Sequence, residues 1–506
     1  MNDLDITQAV SRVLSKYTKT TAPAPEQHAP AAATPLDRGS IDAIVASVLA
    51  SQAGAATATA APVDRNAGDG VFATMDAAIT AAQQAYIQYR HCSMQDRARF
   101  VDGIRQFFLQ EEILHALSTM AVEETGMGNY ADKMVKNRVA AQKTPGVEDL
   151  ITAAISGDGG LTLTEYSAYG VIGSITPTTN PTETIINNTL GMLAAGNAVV
   201  FSPHPRSRQV SLYCVTLINQ QLARLGAPAS LVVTVASPSI DNTNALIGDA
   251  RINMLVATGG PAIVKTVMSS GKKAIGAGAG NPPVVVDETA NIEKAARDII
   301  NGCSFDNNLP CVAEKEVIVV NEVADYLIHC MKKSGAWLLC DKQHIQQLQA
   351  LVLNEKGNGP STALVGKDAR YILQQIGISV PEEIKVILIE TERDHPFVVH
   401  ELMMPVLPVV RVENVDEAID LAVKVEHGHR HTAMMHSTNV EKLTKMARLI
   451  QTTIFVKNGP SYAGLGVGGE GHATFTIAGP TGEGLTSARS YARHRRCVMV
   501  EALNIR

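Results

Sequence analysis

The stretch that decides the fold reads Ile252-Asn-Met-Leu-Val-Ala257-Thr258-Gly259-Gly260-Pro261. Its first six residues are mostly apolar and predict a short buried strand. Two glycines and a proline follow, and proline is favoured at the first position of a helix, so we predict a helix over 261–270. A strand that turns directly into a helix is the repeating unit of α/β folds with a parallel sheet.

The same alternation extends in both directions from this stretch. On the N-terminal side we predict strands at 170–176, 198–202, 231–236 and 252–257 and helices at 183–194, 207–224 and 239–248. On the C-terminal side a second series has strands near 283–287, 316–320, 363–366, 385–389, 406–412 and 453–456. Helical segments at 74–90, 94–110 and 112–125 come first, and a polar stretch at 150–165 follows them. Two such series predict an α/β protein with two doubly wound domains.

The first 65 residues differ from the rest of the chain. Two stretches rich in Ala, Pro, Thr and Gly predict flexible linkers, and two short amphipathic helices, at 5–17 and 40–51, lie before and between them. The helices repeat one pattern at an offset of 35 residues. Helices this short order only on docking, so we predict a tail that carries docking peptides rather than a segment packed on the rest of its own chain.

The composition excludes several classes of protein. The chain has 506 residues, a net charge of −6 and no basic stripe, which argues against nucleic acid as a partner. No apolar run approaches the ~18–20 residues of a membrane span. The seven cysteines are an odd number without a Cys-x-x-Cys pair, so a reducing cytosol suits them better than a disulfide framework. The N-terminus lacks the pattern of a secretory signal.

One cysteine is a candidate nucleophile. Cys311 stands in the polar turn Ser304-Phe-Asp-Asn-Asn-Leu-Pro-Cys311, just before a β-branched run that predicts a buried strand. A cysteine at the mouth of a strand is within reach of a substrate, and Lys315 could stabilise its thiolate. A buried cysteine that only fills space is an equally good interpretation of this segment alone. Cys303 is interpreted as such a core residue.

Two turns are candidate cofactor sites. Gly259 and Gly260 expose the free N–H groups of a helix start, which suit the diphosphate of a dinucleotide. The turn from Ser202 through His204 into the helix at 207–224 is the second candidate. Ordinary βα turns remain an alternative for both. The literal Gly-x-Gly-x-x-Gly at 466–471 follows no strand, so we interpret it as a surface loop. We predict no metal site at the histidines of 427–436, because matching ligands are missing.

Six blocks of sequence, in one order, resemble the CoA-acylating branch of the aldehyde dehydrogenase superfamily. The resemblance spans about residue 70 to residue 506. The blocks are Gly170-Val-Ile-Gly-Ser-Ile-Thr-Pro-Thr-Thr-Asn-Pro-Thr-Glu-Thr184, Phe201-Ser-Pro-His-Pro205, Gly276-Ala-Gly-Ala-Gly-Asn-Pro-Pro283, the segment 304–315, Glu401-Leu-Met-Met-Pro405 and Val456-Lys-Asn-Gly-Pro-Ser-Tyr-Ala-Gly464.

The resemblance implies roles for particular residues. Cys311 would be the nucleophile that forms a thioester, and an amide donor would stabilise the oxyanion. Asn180 is the candidate for that donor, although a gap-free alignment places Thr179 there. The implied cofactor is NAD, with CoA as co-substrate. The implied cofactor-binding residues are Thr176, Pro177, Ser202, His204, Gly259, Gly260 and Glu401.

The resemblance also implies domains and partners. It places the NAD-binding domain at 66–150 and 167–276, the catalytic domain at 277–475, and oligomerisation segments of a homodimer or homotetramer at 151–166 and 484–506. The tail helices are similar to encapsulation peptides, which implies shell proteins as partners and a location inside a cytoplasmic bacterial microcompartment. No membrane or nucleic acid is implied.

One departure from the family points to the reaction. Hydrolytic relatives carry a water-activating glutamate at the position that aligns with Ala277. Without it the acyl group would be left for the thiol of CoA, so the implied reaction converts propionaldehyde, NAD+ and CoA to propionyl-CoA and NADH. Acetaldehyde is the alternative substrate, because one methylene is worth only ~1–3 kcal/mol in an apolar pocket. A non-catalytic scaffold that binds shell proteins is an alternative of another class.

Overall fold

The structure is a computed structural model that describes residues 69–505. The two helices predicted at 5–17 and 40–51 lie outside the described residues. Four helices follow a short first strand, and together they precede the main part of the fold. These elements are β1 (Val71–Phe72), α1 (Met75–Tyr89), α2 (Met94–Phe108), α3 (Glu111–Thr125) and α4 (Tyr130–Lys143).

The first large sheet is parallel and six-stranded, in the order β1-β6-β5-β4-β7-β8. Its remaining elements are β4 (Val171–Thr176), α5 (Pro181–Ala194), β5 (Ala198–Pro203), α6 (Arg208–Arg224), β6 (Val232–Val235), α7 (Ile240–Gly248), β7 (Met254–Thr258), α8 (Pro261–Met268) and β8 (Lys273–Ala277). The deciding stretch is β7 and α8, with Pro261 at the first helical position as predicted. Strands β4 and β5 of this sheet are buried on both faces, as expected for a sheet covered by helices.

The second large sheet is parallel and seven-stranded, in the order β11-β12-β13-β10-β9-β14-β15. Its strands are β9 (Pro283–Val286), β10 (Glu316–Val320), β11 (Ala336–Leu338), β12 (Val386–Glu390), β13 (Val406–Val412), β14 (Thr432–His436) and β15 (Ile454–Lys457). The helices between them are α9 (Ile292–Ser304), α10 (Asn321–Lys333), α11 (Lys342–Val352), α12 (Ala369–Gln375), α13 (Pro396–Val399), α14 (Val415–Val425) and α15 (Val440–Ile450). The side chains of Val284 and Val286 join one hydrophobic core and that of Val285 joins the core on the opposite face.

Two smaller sheets complete the fold. In the three-stranded antiparallel sheet, β3 (Gly160–Ala168) pairs with β2 (Ala153–Gly157) on one side and with β18 (Ala492–Val500) on the other. The other small sheet pairs β16 (Ile477–Ala478) with β17 (Gly484–Leu485).

The α/β fold class is confirmed, one predicted strand was wrong, and several elements were missed. The strand predicted at 363–366 is a turn, because Gly366 takes a left-handed φ of 73° and the backbone folds back on itself. The polar stretch 150–165 contains β2 and most of β3. Strands β11 and β14 and helix α4 were not predicted.

Candidate active site

A cavity of about 730 Å³ opens at the carboxyl ends of β4, β5 and β7. The edge formed by the carboxyl ends of parallel strands is where ligands bind in open α/β sheets. Every catalytic or cofactor residue predicted from the sequence lines this cavity. They are Thr176, Pro177, Asn180, Ser202, His204, Gly259, Gly260, Cys311 and Glu401. Thr179, the alternative to Asn180, lines it as well.

Cys311 reaches the cavity from a strained loop. Residues 306–308 have φ values of 49°, 55° and 65°, which non-glycine residues rarely adopt. The side chain of Asn308 fixes this loop from within: its Nδ2 donates to the carbonyl oxygens of Cys303 at 2.9 Å and of Glu314 at 3.0 Å. Cys311 is a free cysteine and partly exposed, whereas Cys303 is buried, as predicted. The strain and its anchors therefore present one thiol, and not its neighbour, to the cavity.

The charges around Cys311 oppose each other. Burial, together with the carboxylate of Glu401, raises the pKa of the Cys311 thiol to about 12, and the ammonium of Lys315 acts in the opposite direction. Lys315 is buried and donates to the Asn308 carbonyl oxygen at 3.0 Å and to its Oδ1 at 2.7 Å. Lys315 therefore supports the loop as well as favouring the thiolate.

Glu401 faces the same cavity with a perturbed acidity. Burial raises the pKa of its carboxyl to about 7, against the lowering effects of Lys315 and of a hydrogen bond from the Gly280 N–H. Its Oε1 lies 4.0 Å from Nζ of Lys315. Among the described residues that line the cavity, Glu401 is the only carboxylate.

Asn180 is the residue before the first turn of α5, and its side chain is held on both ends. Its Oδ1 accepts a hydrogen bond from Nζ of Lys136 at 2.6 Å, and its Nδ2 donates to Oγ1 of Thr179 at 3.3 Å. Its own carbonyl oxygen accepts from the N–H and the hydroxyl of Thr184. The amide is therefore fixed at the edge of the cavity.

The part of the cavity next to the carboxyl ends of β5 and β7 suits a dinucleotide. A Cβ added at Gly260 would meet open space, and Gly260 and Gly259 precede the exposed first turn of α8. This cradle of bare backbone at a helix start fits a diphosphate group. The Ser202 hydroxyl lies 2.8 Å from Oγ1 of Thr243, where both side chains line the cavity. Together these groups fit a dinucleotide cofactor.

The position at which the resemblance implies a missing glutamate is at the end of β8. Ala277 is its last residue and is buried, while the next two residues, Gly278 and Ala279, line the cavity. A methyl side chain cannot accept a proton from water. Glu401 is therefore the one carboxylate that the described lining offers near Cys311.

Other motifs lie outside the cavity. The Gly466–Gly471 segment is a loop whose carbonyl oxygens, at Gly466 and Gly469, accept hydrogen bonds from Nζ of Lys143. The rings of His427 and His429 contact each other edge to face. Over residues 69–505, no group of three or more His, Cys, Asp or Glu side chains could hold a metal ion. No helix in the same range is long and apolar enough to cross a membrane.

Sequence reasoning missed the two lysines that support the site, Lys133 and Lys136. Both are buried and lie one turn apart on α4, which was not predicted as a helix. Two lysines at i and i+3, followed by the buried apolar Val139 and Ala140, place charge on the apolar face of a helix. That conflict is the signal that could have identified them.

Residues 65–479 match the sequence profile described as the aldehyde dehydrogenase family. The chain therefore belongs to the aldehyde dehydrogenase family, as its six sequence blocks predicted. Within the family it is 52% identical over 434 residues to the propanal dehydrogenase (CoA-propanoylating) of Salmonella typhimurium, which covers 86% of this chain and 92% of that one.

Two solved structures are similar to it. One is a Rhodopseudomonas palustris propionaldehyde dehydrogenase with bound CoA and an acylated cysteine, at 71% identity and a TM-score of 0.86, covering 87% of this chain and 100% of that one. The other is a propionaldehyde dehydrogenase from the Clostridium phytofermentans fucose utilisation bacterial microcompartment, at 50% identity and a TM-score of 0.84, covering 86% and 100%. The predicted relationship to CoA-acylating enzymes of microcompartments is confirmed.

Proposed function

We propose that this chain is a CoA-acylating propionaldehyde dehydrogenase, with Cys311 as its nucleophile. One observation carries the proposal: a partly exposed cysteine lines the same cavity as the glycine cradle that fits a dinucleotide. The resemblance also implies that Ala277 occupies the position of the hydrolytic glutamate. The names of the similar proteins support the same reaction and the same class of substrate.

The first half of the reaction forms the thioester. The Cys311 thiolate attacks the aldehyde carbon, and the carbonyl oxygen becomes an oxyanion. The backbone N–H of Cys311 and Nδ2 of Asn180 are the proposed donors to that oxyanion. When bound, the nicotinamide ring supplies the acceptor for the hydride that leaves the thiohemiacetal carbon. Loss of this hydride, with the oxyanion returning to a carbonyl, leaves an acyl group on the Cys311 sulfur.

The second half transfers the acyl group. Water needs a general base to attack a thioester at a useful rate, and Ala277 provides none. The thiol of CoA is a better nucleophile, and it attacks as the thiolate after releasing its proton to solvent. Its sulfur adds to the thioester carbon, the tetrahedral intermediate collapses, and Cys311 leaves as the thiolate. The product is propionyl-CoA, and the nucleophile is restored without water entering the balance.

We propose NAD rather than NADP as the nicotinamide cofactor. Gly259 and Gly260 would accommodate the diphosphate, Ser202 and His204 would hold the adenosine ribose, and Glu401 would accept hydrogen bonds from the nicotinamide ribose. Thr176 and Pro177 form the wall between the two ends. Among the described lining residues there is no lysine or arginine to pair with a 2′-phosphate.

We propose further that the tail at 1–65 binds shell proteins and keeps the enzyme in a cytoplasmic microcompartment, and that 151–166 and 484–506 pair subunits. Apolar side chains left exposed on the three-stranded sheet support the pairing, with Ile155 at 69%, Val498 at 56% and Val500 at 68% exposure. Sedimentation of the full chain tests it: Ile155→Arg should shift the protein toward monomer, and an unchanged assembly would contradict this role.

The test of the reaction measures NADH formation from propionaldehyde and NAD+ with and without CoA, together with the acyl product. Strong dependence on CoA and formation of propionyl-CoA are expected. Equal turnover to propionate without CoA would contradict the interpretation of Ala277. Acetaldehyde run in parallel, compared by kcat/KM, decides between the two substrates.

Cys311→Ala and Cys340→Ala form a matched pair of variants for the nucleophile. Both remove one thiol, but Cys340 is exposed and does not line the cavity. Cys311→Ala should abolish NADH formation, and Cys340→Ala should retain it. Residual turnover in Cys311→Ala would rule out the proposed nucleophile, and an inactive parent protein would favour the scaffold alternative.

A further inference from the structure

Four buried charges cluster next to Asn180. Lys133 and Lys136 come from α4, Glu183 from the first turn of α5 and Asp306 from the loop before Cys311. At most 1% of each of the four side chains is exposed. Nζ of Lys136 lies 2.5 Å from Asp306 and 3.1 Å from Glu183, and Nζ of Lys133 lies 2.9 Å from Asp306. Two lysines therefore contact two carboxyl groups inside the protein.

Lys136 has a second partner, the side chain of Asn180. Its hydrogen bond to Oδ1 is 2.6 Å long. An ammonium carries only donors, so Oδ1 must face Lys136 and the Nδ2 end of the amide must face away. Nδ2 uses one N–H on Thr179, which leaves the other for a ligand in the cavity that Asn180 lines. A cation on the oxygen also polarises the amide and strengthens that N–H as a donor.

The same ammonium holds the loop that carries the cysteine. The left-handed run at 306–308 is costly for non-glycine residues and persists only where its surroundings fix it. Asp306 is the first residue of this run, and both lysines bind its carboxylate. Lys136 is thus the one link between the amide of Asn180 and the start of the Cys311 loop within the described cluster.

We propose that Lys136 is a positioning residue. It orients the side-chain amide of Asn180 so that one N–H is directed at the reacting carbonyl, and it fixes that amide relative to the loop that carries Cys311. The inference rests on the proposed function, in which Asn180 donates to the oxyanion. Buried ion pairs add little net stability, because desolvation offsets their attraction. Although burial alone would lower it, the carboxylates of Asp306 and Glu183 raise the pKa of Lys136, so the ammonium keeps its charge.

The test is a double-mutant cycle on the full chain. The readout is the rate of the first turnover of NADH formation from propionaldehyde and NAD+ without CoA. A rapid-mixing instrument measures this rate. Asn180→Ala should slow this step about 100-fold, the typical loss of one oxyanion donor. Lys136→Met should slow it about tenfold in the parent chain. In the Asn180→Ala background the same change should cost less than about twofold, because its target is gone.

Lys133→Met is the matched control. Lys133 also binds Asp306, but its other partner is the backbone oxygen of Thr179, at 2.8 Å, and not the side chain of Asn180. If the rate of NADH formation fell only because the Asp306 carboxylate had lost a cation, the fall would appear in both lysine variants. The effect of Lys133→Met should therefore be the same in the presence and absence of the Asn180 side chain.

A second variant keeps the test decisive if Lys136→Met fails to fold. That change leaves the buried carboxylate of Glu183 without a cation, which is strongly destabilising. Combining Lys136→Met with Glu183→Gln removes one charge of each sign and leaves the pair of Lys133 and Asp306. The combined variant should show the same coupling to Asn180→Ala.

Two outcomes would overturn the inference, and they differ. Equal slowing by Lys136→Met in both backgrounds would show that it acts independently of Asn180, whose role would stand. An unchanged rate in Asn180→Ala would refute the oxyanion assignment itself, together with the role of Lys136 built on it.

Discussion

Glu401 should make cofactor affinity depend on pH near neutrality. The perturbation is Glu401→Gln, which keeps the shape and one acceptor but cannot ionise. With a pKa of about 7, the carboxyl is about 90% ionised at pH 8 and about 10% ionised at pH 6. A carboxylate accepts a stronger hydrogen bond from a ribose hydroxyl than a neutral carboxyl does, by about 1–1.5 kcal/mol. The protonated form should therefore bind about five- to tenfold more weakly.

Weighted by these populations, the Kd for NAD should rise about three- to fivefold from pH 8 to pH 6. The sign follows from the carboxylate as the binding form: affinity is present above the pKa and is lost as the pH falls through it. In Glu401→Gln the Kd for NAD should be larger than that of the parent at pH 8 and should not change between pH 6 and pH 8. Titration of the aldehyde-free enzyme by calorimetry measures both.

Glu314→Gln is the control for this titration. Burial also raises the pKa of Glu314 to about 7, but its carboxylate binds Ser461 and does not line the cavity. This variant should keep the slope of the parent. Burial and Arg206 lower the pKa of His204, so any contribution from that lining residue appears at lower pH and in all three proteins. A slope that persists in Glu401→Gln would refute the assignment of the titration to Glu401.

Four further outcomes are expected. In Glu401→Gln, iodoacetamide should alkylate Cys311 faster at pH 8, because the carboxylate that raises the pKa of the thiol in the parent protein has been removed. A slower rate would contradict that electrostatic effect. Gly260→Val should raise the KM for NAD about tenfold with little change in kcat, since a side chain there would enter the diphosphate cradle; an unchanged KM would place the cofactor elsewhere. NADP+ should give a kcat/KM about tenfold below that of NAD+, because the described lining has no lysine or arginine to pair with a 2′-phosphate; equal values would contradict the proposed preference. Deleting residues 1–52 should leave catalysis intact and abolish co-sedimentation with shells, and retained co-sedimentation would refute the docking role.

Sequence reasoning succeeded where a local pattern determines the structure. The β-branched runs of β10 and β13 and the Gly-Gly-Pro turn before α8 identified buried strands and a helix start directly. Strand β14 was missed, because Thr432-Ala-Met-Met-His436 has few β-branched residues and follows a histidine cluster. At 363–366 a short apolar run was wrongly assigned to a strand, since burial of Leu364 and Val365 is equally served by a turn.

The candidate site also contains residues that a local sequence pattern predicts and residues that it does not. The lining residues Thr176, Ser202 and Gly259 lie at or just after the carboxyl ends of β4, β5 and β7, so order along the chain and parallel topology bring them to one edge. The support behind Asn180 could not be predicted, because Lys136 and Asp306 are 170 positions apart in the chain and meet only when α4 packs beside the loop of Cys311. Contacts of that kind depend on the tertiary fold and leave no periodic signal.

The alanine at the end of β8 has an energetic consequence. Oxidation of an aldehyde releases free energy, and hydrolysis of the thioester on Cys311 would dissipate the share still stored in the acyl bond. Transfer to a second thiol exchanges one thioester for another, so that share leaves the enzyme in the product. In the proposed reaction, the single methyl group of Ala277 cannot activate water, and the free energy of the acyl bond would be retained in the thioester product.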